Sequence, residues 1–570
     1  MSGSTRLRVV LAWHMHQPQY RDPITGDYQL PWTYLHAIKD YVDMAAHLEA
    51  TPGARAVVNF APVLLEQIAD YAAQVRGYLG NVAPIRDPLL AALANPVLPG
   101  ENSQRLDLIR ACLRANEEHL IGRFPAYRRL AQLAPLLEGN PELLGYLDDQ
   151  YLADLLVWYH LAWLGESVRR NDRRVARLQE QGRAYTLHDR CELLGIIGET
   201  LADVIPRYRR LAESGRAELS VTPYAHPILP LLLEFASARE ALPELILPGL
   251  ARYPGGEARA RWHVEQGIAC FRAHFGREPQ GCWPAEGGVS EAAVRLLGEY
   301  GFRWVATGQQ VLAHSAAALG GPSQTSVGCQ LYQPHRVGGR GPACFFRDDG
   351  LSDLIGFSYA KWHADDAVAN LLVHLENIAR QCQDQAESVA TIILDGENAW
   401  EYYPENGYHF LSALYRRLSE HPLLQLSTFS ECLDSPVPVR SLARLVAGSW
   451  VYGTFSTWIG AADKNRGWDL LVAAKRAFDE VMTSGRLDAQ HREAAERQLA
   501  ICEGSDWFWW FGDYNPAASV SQFDHLFRQH LASLYHLLGR EPPDELAKTI
   551  SVGKGQPQHG GVMRPGLEHA

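Results

Sequence analysis

The 570-residue sequence predicts an α/β fold: a large domain built on a parallel sheet or barrel, with a helical insertion and a helical C-terminal region. Three observations carry this. The run Val389-Ala390-Thr391-Ile392-Ile393-Leu394 is apolar and largely β-branched, and it stops at Asp395-Gly396, as a buried parallel strand does when its end delivers a polar group to the rim. Similar short runs recur along the chain, each ending in a loop rich in polar residues. From about residue 70 to 210 strand signals nearly vanish, and Leu89, Leu90, Leu93, Leu152, Leu155, Leu156 and Tyr159 recur at helical spacing.

Composition bounds the class. An apolar share of 47% supports a large core, and the length calls for a barrel-sized domain plus additions. The net charge is −12, with 65 acidic residues against 53 Lys and Arg and no basic stripe, so no nucleic-acid partner is expected. No apolar run is long enough to cross a membrane. Met1–Arg6 leads straight into the strand Leu7–Trp13, which is too short for a signal peptide's apolar region. Nine cysteines without C-x-x-C spacing argue for a reducing compartment and against a zinc ribbon or a disulfide framework. A cytoplasmic protein is the expectation.

The first strand ends in Trp13-His14-Met15-His16-Gln17-Pro18, and alternation puts His14 and His16 on one face with Met15 on the other. Such a pair serves as metal ligands, as hydrogen-bonding groups for substrate hydroxyls, or as a satisfied structural pair. A second strand, Ala54–Phe60, opens into a helix starting near Pro62. Within the helical insertion, Trp158 and Trp163 read as core and Arg169–Arg174 as a solvated helix end. The strand Ala217–Thr222 carries Glu218 in its middle and runs into a Pro-punctuated loop holding His226. A charge buried in a sheet needs a partner, which His14 or His16 is expected to supply.

Glu286 lies in a loop beside Trp283, followed by two glycines that permit close approach and by Ser290, which suits a helix N-cap. The strand Phe302–Gly308 then returns to the sheet. Asp395 stands at a strand's C-terminal end, where α/β barrels place functional groups, and Glu397, Asn398, Trp400 and Glu401 crowd the same loop. Hydrogen-bonding groups beside a flat apolar plate suit a sugar, and 15 Trp, 24 Tyr and 17 Phe supply such plates, though large cores also consume them. A turn or capping role for Asp395 and a solvent-exposed role for Glu286 are the structural alternatives. Two carboxylates on separate strand ends are what glycoside hydrolysis requires, one as nucleophile or stabiliser and one as acid.

These motifs, His14-Met15-His16-Gln17-Pro18, Glu218 with Thr222–Ile228, Gly281–Glu286 and Leu394–Glu401, together resemble in order and wording the signatures of glycoside hydrolase family 57. The wording is most similar to its amylopullulanase and α-amylase members. The resemblance implies an incomplete (β/α)7 TIM-like barrel with a helical C-terminal region and retaining hydrolysis of α-glucans. It makes Glu286 the nucleophile and Asp395 the general acid/base, with neither cofactor nor metal. It also implies substrate contacts for His14, His16, Glu218, His226, Trp283, Glu397 and Trp400, a substrate or supporting contact for Asp353, and a groove-lining role for Trp458. In the aromatic cluster Gly504–Asp513 at least one ring, with Trp507 the candidate, is expected to stack on a sugar while others enter the core. The expected domains are a catalytic barrel over 1–435 with the insertion at about 70–210, a helical domain over 436–547 that contributes to the groove, and a flexible tail over 548–570. Linkage preference, and the choice between hydrolysis and 4-α-glucanotransferase or branching-type transfer, depend on groove shape. A metal-dependent hydrolase using His14, His16 and a carboxylate, and a silent glucan-binding protein, are the readings from other classes.

Overall fold

A computed structural model describes residues 6–320, 328–383, 387–435, 437–555 and 564. Its strands are β1 (Leu7–Met15), β2 (Ala56–Phe60), β3 (Ala217–Val221), β4 (Gly281–Cys282), β5 (Trp304–Gly308), β6 (His335–Val337), β7 (Ala343–Arg347), β8 (Val389–Asp395), β9 (Leu424–Leu426) and β10 (Arg440–Leu442). They form one sheet in the order β10-β6-β7-β5-β4-β3-β2-β1-β8, with β9 added beside β1. From β7 through to β8 every neighbouring pair is parallel. Asp348 N donates to Thr391 O at 2.8 Å and Arg347 Nε to Ile393 O at 2.9 Å, so the two ends of this path meet. The seven strands β7, β5, β4, β3, β2, β1 and β8 thus curl into the incomplete barrel that the sequence predicts.

The strands are buried along nearly their whole length, because helices cover the outside and side chains fill the inside. Among the described residues no strand lies between Phe60 and Ala217, and helices such as Asp149–Trp163 and Leu187–Glu213 occupy that stretch. Trp158 and Trp163 are buried, as expected of core. After the barrel, the helices Ala462–Ser484, Ala489–Cys502, Asp506–Trp510 and Ala517–Leu537 pack together. No helix of the described residues is long and apolar enough to cross a membrane.

Three expectations need correction. The sheet does not end before residue 436, because β10 pairs with β6 beyond that point; a strand of three residues is too short to leave a period in the sequence. Cys329 and Cys382 form a disulfide, while seven other cysteines are free thiols. Their separation of 53 residues carries no local signal for pairing. Within the expected tail, Ile550 N and Ser551 N donate to the buried Asp524 carboxylate, which fixes the chain there. The rest of that tail beyond Gly555, apart from Arg564, lies outside the described residues.

Candidate active site

Register assembles the site's floor. His14 of β1 pairs with Asn59 of β2 on one side and Asp395 of β8 on the other, and Asn59 pairs with Ser220 of β3. Residues paired across a parallel sheet point to the same face, so these four side chains form one layer inside the barrel near the strands' C-terminal ends. His14 Nδ1 lies 2.7 Å from Asn59 Oδ1, and His14 Nε2 lies 3.0 Å from His226 Nε2. His16, one alternation further along, stacks on His226 with ring centroids 3.8 Å apart. Met15 points the other way and packs where a Cβ on Gly396 would sit, which is why the turn after Asp395 takes glycine.

Glu286 sits on the short turn after β4 with φ 58° and ψ 23°, a left-handed conformation uncommon for a side-chain-bearing residue. Neighbours hold it there. Thr307 Oγ1, at the end of β5, donates to Gly287 O at 2.6 Å, and Trp450 N donates to Glu286 O at 3.1 Å. Val289 and Gly448 exchange both backbone hydrogen bonds, zipping the post-barrel segment onto this turn. Gly287 also has positive φ, and a Cβ there would press on Trp283 and Trp450. The carboxylate then accepts from Trp450 Nε1 at 3.1 Å through Oε2 and meets Ser505 Oγ at 3.1 Å through Oε1.

The C-terminal helices supply the remaining wall. Ser505 Oγ is 2.8 Å from His226 Nδ1, and Ser505 N donates to His226 O at 2.9 Å. Asp506 Oδ1 lies 2.7 Å from His16 Nε2. Two buried knots fix this loop. Glu503 accepts from Arg259, His263 and Tyr253, all within 3.0 Å. Lys464 Nζ donates to the carbonyls of Thr457, Phe508 and Phe511 and to Tyr514 Oη.

The electrostatics follow from crowding acids in a dry site. Burial first, then the negative charges of Asp506 and Asp395, push the Glu286 carboxyl up to about 8, against the pull of the Trp450 and Ser505 donors. Burial likewise raises Asp395, against a 2.9 Å hydrogen bond from Asn398 and the charges of His16 and Arg347. That Asp395 acts on Glu286 makes the two a coupled pair, in which ionising one makes the other hold its proton. Burial and the neighbouring His16 hold His14 down at about 3, and burial also holds His226 well below its ordinary value, which favours the neutral form of both rings.

His14, His16 and His226 can each offer a ring nitrogen within 4.8 Å of the others. His14 Nε2 and His226 Nε2 already face each other and would have to part to take up a metal ion, whereas His16 has a buried, unpartnered Nδ1 besides the Nε2 that meets Asp506. Glu218 is no ligand here. Its carboxylate lies deeper in the barrel, 2.7 Å from Trp304 Nε1 and 2.9 Å from Ser430 N, so the partner expected among the histidines is supplied instead by Trp304 and Ser430.

Among the other residues expected at the site, Trp283 lies just beneath it, its ring centroid 5.3 Å from that of Trp450 and 6.2 Å from that of His14. Asp353 pairs with Arg347 at 2.7 Å, and Arg347 in turn sits over the Trp450 ring, so Asp353 supports the wall. Four residues are not at a groove surface. Trp400 is fully buried against Trp13, Tyr403 and Phe410, with Nε1 donating to Gly396 O. Glu397 is buried beneath His16 and Gln17, and burial pushes its carboxyl well above the ordinary range. Trp458 has no exposed surface, and Trp507 packs on Phe523, Phe527 and His530. Large rings next to a strand end or in a helical bundle gain most by burial, and that preference took these three out of the groove. Trp450, in the Gly448–Trp450 stretch that resembles the family's fifth region, and Ser505 and Asp506, in the Gly504–Asp513 cluster, were given no role of their own. Trp450 and Ser505 reach Glu286 and Asp506 reaches His16, and each follows a small-residue break, Gly448-Ser449 or Gly504, which is the signal available for them.

The profile of glycosyl hydrolase family 57 matches residues 10–444. Solved structures similar to this chain include a branching enzyme from Thermococcus kodakaraensis, with 15% identity over 96% of this chain and 94% of that one and a TM-score of 0.58. A branching enzyme from Pyrococcus horikoshii aligns with 16% identity over 96% and 94% and a TM-score of 0.55. The α-amylase AmyC from Thermotoga maritima aligns with 15% identity over 95% of each chain and a TM-score of 0.56. These likenesses establish a shared fold along almost the whole chain.

Proposed function

Because the chain belongs to glycosyl hydrolase family 57, we propose that it is a retaining enzyme acting on α-1,4-glucosidic bonds of starch- or glycogen-type glucans, with α-1,6 bonds of pullulan-type chains as a further substrate. The observation that carries this is the pairing of Glu286 with Asp395: a buried and a half-buried carboxyl from different strand ends, coupled electrostatically in a site walled by Trp450, His16 and Asp506.

In the first half-reaction Glu286, ionised, attacks the anomeric carbon while Asp395, protonated, gives its proton to the departing glycosidic oxygen. The influence of Asp395 on Glu286 favours a proton on one of the two when the other is ionised. Burial favours the acid form of both carboxyls, and the Trp450 and Ser505 donors draw Glu286 back toward the anion as Asn398 does Asp395. In the second half-reaction Asp395 takes a proton from the acceptor, which attacks the glycosyl-enzyme and releases Glu286. Water as acceptor gives hydrolysis; a sugar hydroxyl gives transfer. The branching enzymes that share this fold over nearly full length make transfer the second reading.

The test is incubation with maltooligosaccharides and with pullulan, with and without EDTA, and separation of the products by length. Shorter products that resist EDTA are expected. Longer or branched products would move the assignment to a transferase, and loss of activity to EDTA would contradict a metal-free mechanism. Glu286→Gln should abolish turnover.

A further inference from the structure

Behind the proposed nucleophile runs an unbroken line of polar contacts. From Glu286 Oε1 it passes to Ser505 Oγ at 3.1 Å, from Ser505 Oγ to His226 Nδ1 at 2.8 Å, from His226 Nε2 to His14 Nε2 at 3.0 Å, and from His14 Nδ1 to the Asn59 amide at 2.7 Å. The line ends on two hydroxyls: Ser220 Oγ at 3.0 Å and Thr222 Oγ1 at 2.8 Å from the amide, and Thr222 Oγ1 is also 2.9 Å from Trp283 O. Every link is buried. A neutral imidazole has one donor nitrogen and one acceptor nitrogen, so the direction of any one link fixes all the others.

Only two directions satisfy the chain. With Glu286 protonated, its O–H donates to Ser505, Ser505 to His226 Nδ1, His226 Nε2–H to His14 Nε2, and His14 Nδ1–H to Asn59 Oδ1. Thr222 then faces two acceptors, Asn59 Oδ1 and Trp283 O, with a single proton. With Glu286 ionised the order reverses: Ser505 donates to the carboxylate, His226 Nδ1–H to Ser505, and His14 Nε2–H to His226. His14 Nδ1 must now accept, which requires the Asn59 amide to turn end for end. In that orientation its NH2 group donates to His14 and Thr222, Thr222 donates to Trp283 O, and Ser220 donates to the amide oxygen. No contact is left with two acceptors. One proton has gone to solvent, and each ring keeps one proton but carries it on the other nitrogen.

We propose that Asn59, His14, His226 and Ser505 form a hydrogen-bond chain whose direction switches with the ionisation of Glu286, and that Asn59 and Thr222 bias it toward the ionised nucleophile. This rests on the assignment of Glu286 under the proposed function. Asn59 and Thr222 are positioning residues, acting through two imidazoles on a carboxylate they do not touch. The titratable groups facing the chain from packed elements are His16, stacked on His226, Asp506, bound to His16, and Asp395 across the site.

The experiment has two arms. In the first, kcat/KM on a maltooligosaccharide is followed against pH, since its acidic limb reports the free enzyme's essential base. Asn59→Leu, Thr222→Val and Ser505→Ala are each expected to move that limb up by about one pH unit, the order expected for loss of a hydrogen bond to a charged group. Ser505→Thr should return it to its original place. A limb that stays put in folded Asn59→Leu and Thr222→Val, while Ser505→Ala moves it, overturns the chain. The second arm needs no turnover: 15N spectra of histidine-labelled wild-type protein, with the two rings identified from folded His14→Gln and His226→Gln. Both rings should change the protonated nitrogen together over one pH interval. Fixed tautomers, or an imidazolium in either ring, would overturn the proposal. Failure of the nucleophile assignment would show separately, as turnover surviving in Glu286→Gln.

Discussion

Ser505 Oγ lies 3.1 Å from Glu286 Oε1 although 219 residues separate them in the chain. The barrel supplies the carboxylates, and the helices that follow supply donors and a further acid that tune them. Removing the post-barrel helices would leave Glu286 without Ser505 and the site without Asp506.

The raised value at Glu286 makes this residue a stability cost above acidic pH. Between the ordinary carboxylate range and about 8 the folded protein holds a proton that the unfolded chain has released, so stability falls as pH rises through that window. Glu286→Gln should therefore be more stable than wild type at pH 8 to 9, by roughly a few kcal/mol, and equal to it near pH 4. Thermal or urea unfolding at the two pH values checks the sign.

Trp450 and Trp458 should separate cleanly. Trp450→Phe removes the donor to Glu286 Oε2 and should lower kcat/KM by about tenfold to a hundredfold. Trp458→Phe alters a fully buried ring and should lower stability by about 1–3 kcal/mol with KM unchanged. Steady-state kinetics with a denaturation curve for each variant makes the comparison.

Glu503 anchors the loop carrying Ser505 and Asp506. Burial alone would raise its carboxyl, but Arg259 and His263 beside it hold it down at about 2. A depressed acid contributes its stability above the unfolded value and loses it as pH falls through the folded one, so this contribution fades between about pH 4.5 and 2. Glu503→Gln leaves the Arg259 charge buried without its partner and should cost about 3–5 kcal/mol at neutral pH, with a flatter dependence on acid. Urea unfolding at pH 7 and pH 3 measures both.

The fold and the places of Glu286 and Asp395 at strand ends were legible because their signals are local. A β-branched run ending at Asp395 and a turn with paired glycines after Glu286 each fit within a few residues, and the alternation at His14 and His16 correctly put both rings on one face. What surrounds the pair was not local. Trp450, Ser505 and Asp506 arrive from beyond the barrel, and only the Val289–Gly448 bridge and the Glu503 and Lys464 knots show why they stop where they do. Trp400 and Trp507 were read as sugar plates from their type and neighbours, and Trp458 as a groove residue from the family resemblance, whereas burial of a large ring was the stronger force. Glu218 was read correctly as a charge in need of a partner, but the indole N–H of Trp304, 86 residues on, met that need instead of an imidazole.

The most direct measurement traps the glycosyl-enzyme. A 5-fluoro-α-glucosyl fluoride, which slows release of the covalent intermediate, is incubated with wild-type protein, and the labelled peptide is sequenced by mass spectrometry. The fluorinated hexosyl group should sit on Glu286, within the tryptic peptide Glu278–Arg295. A label on Asp395, or steady turnover of this reagent with no labelled peptide in the quenched enzyme, would contradict Glu286 as the nucleophile.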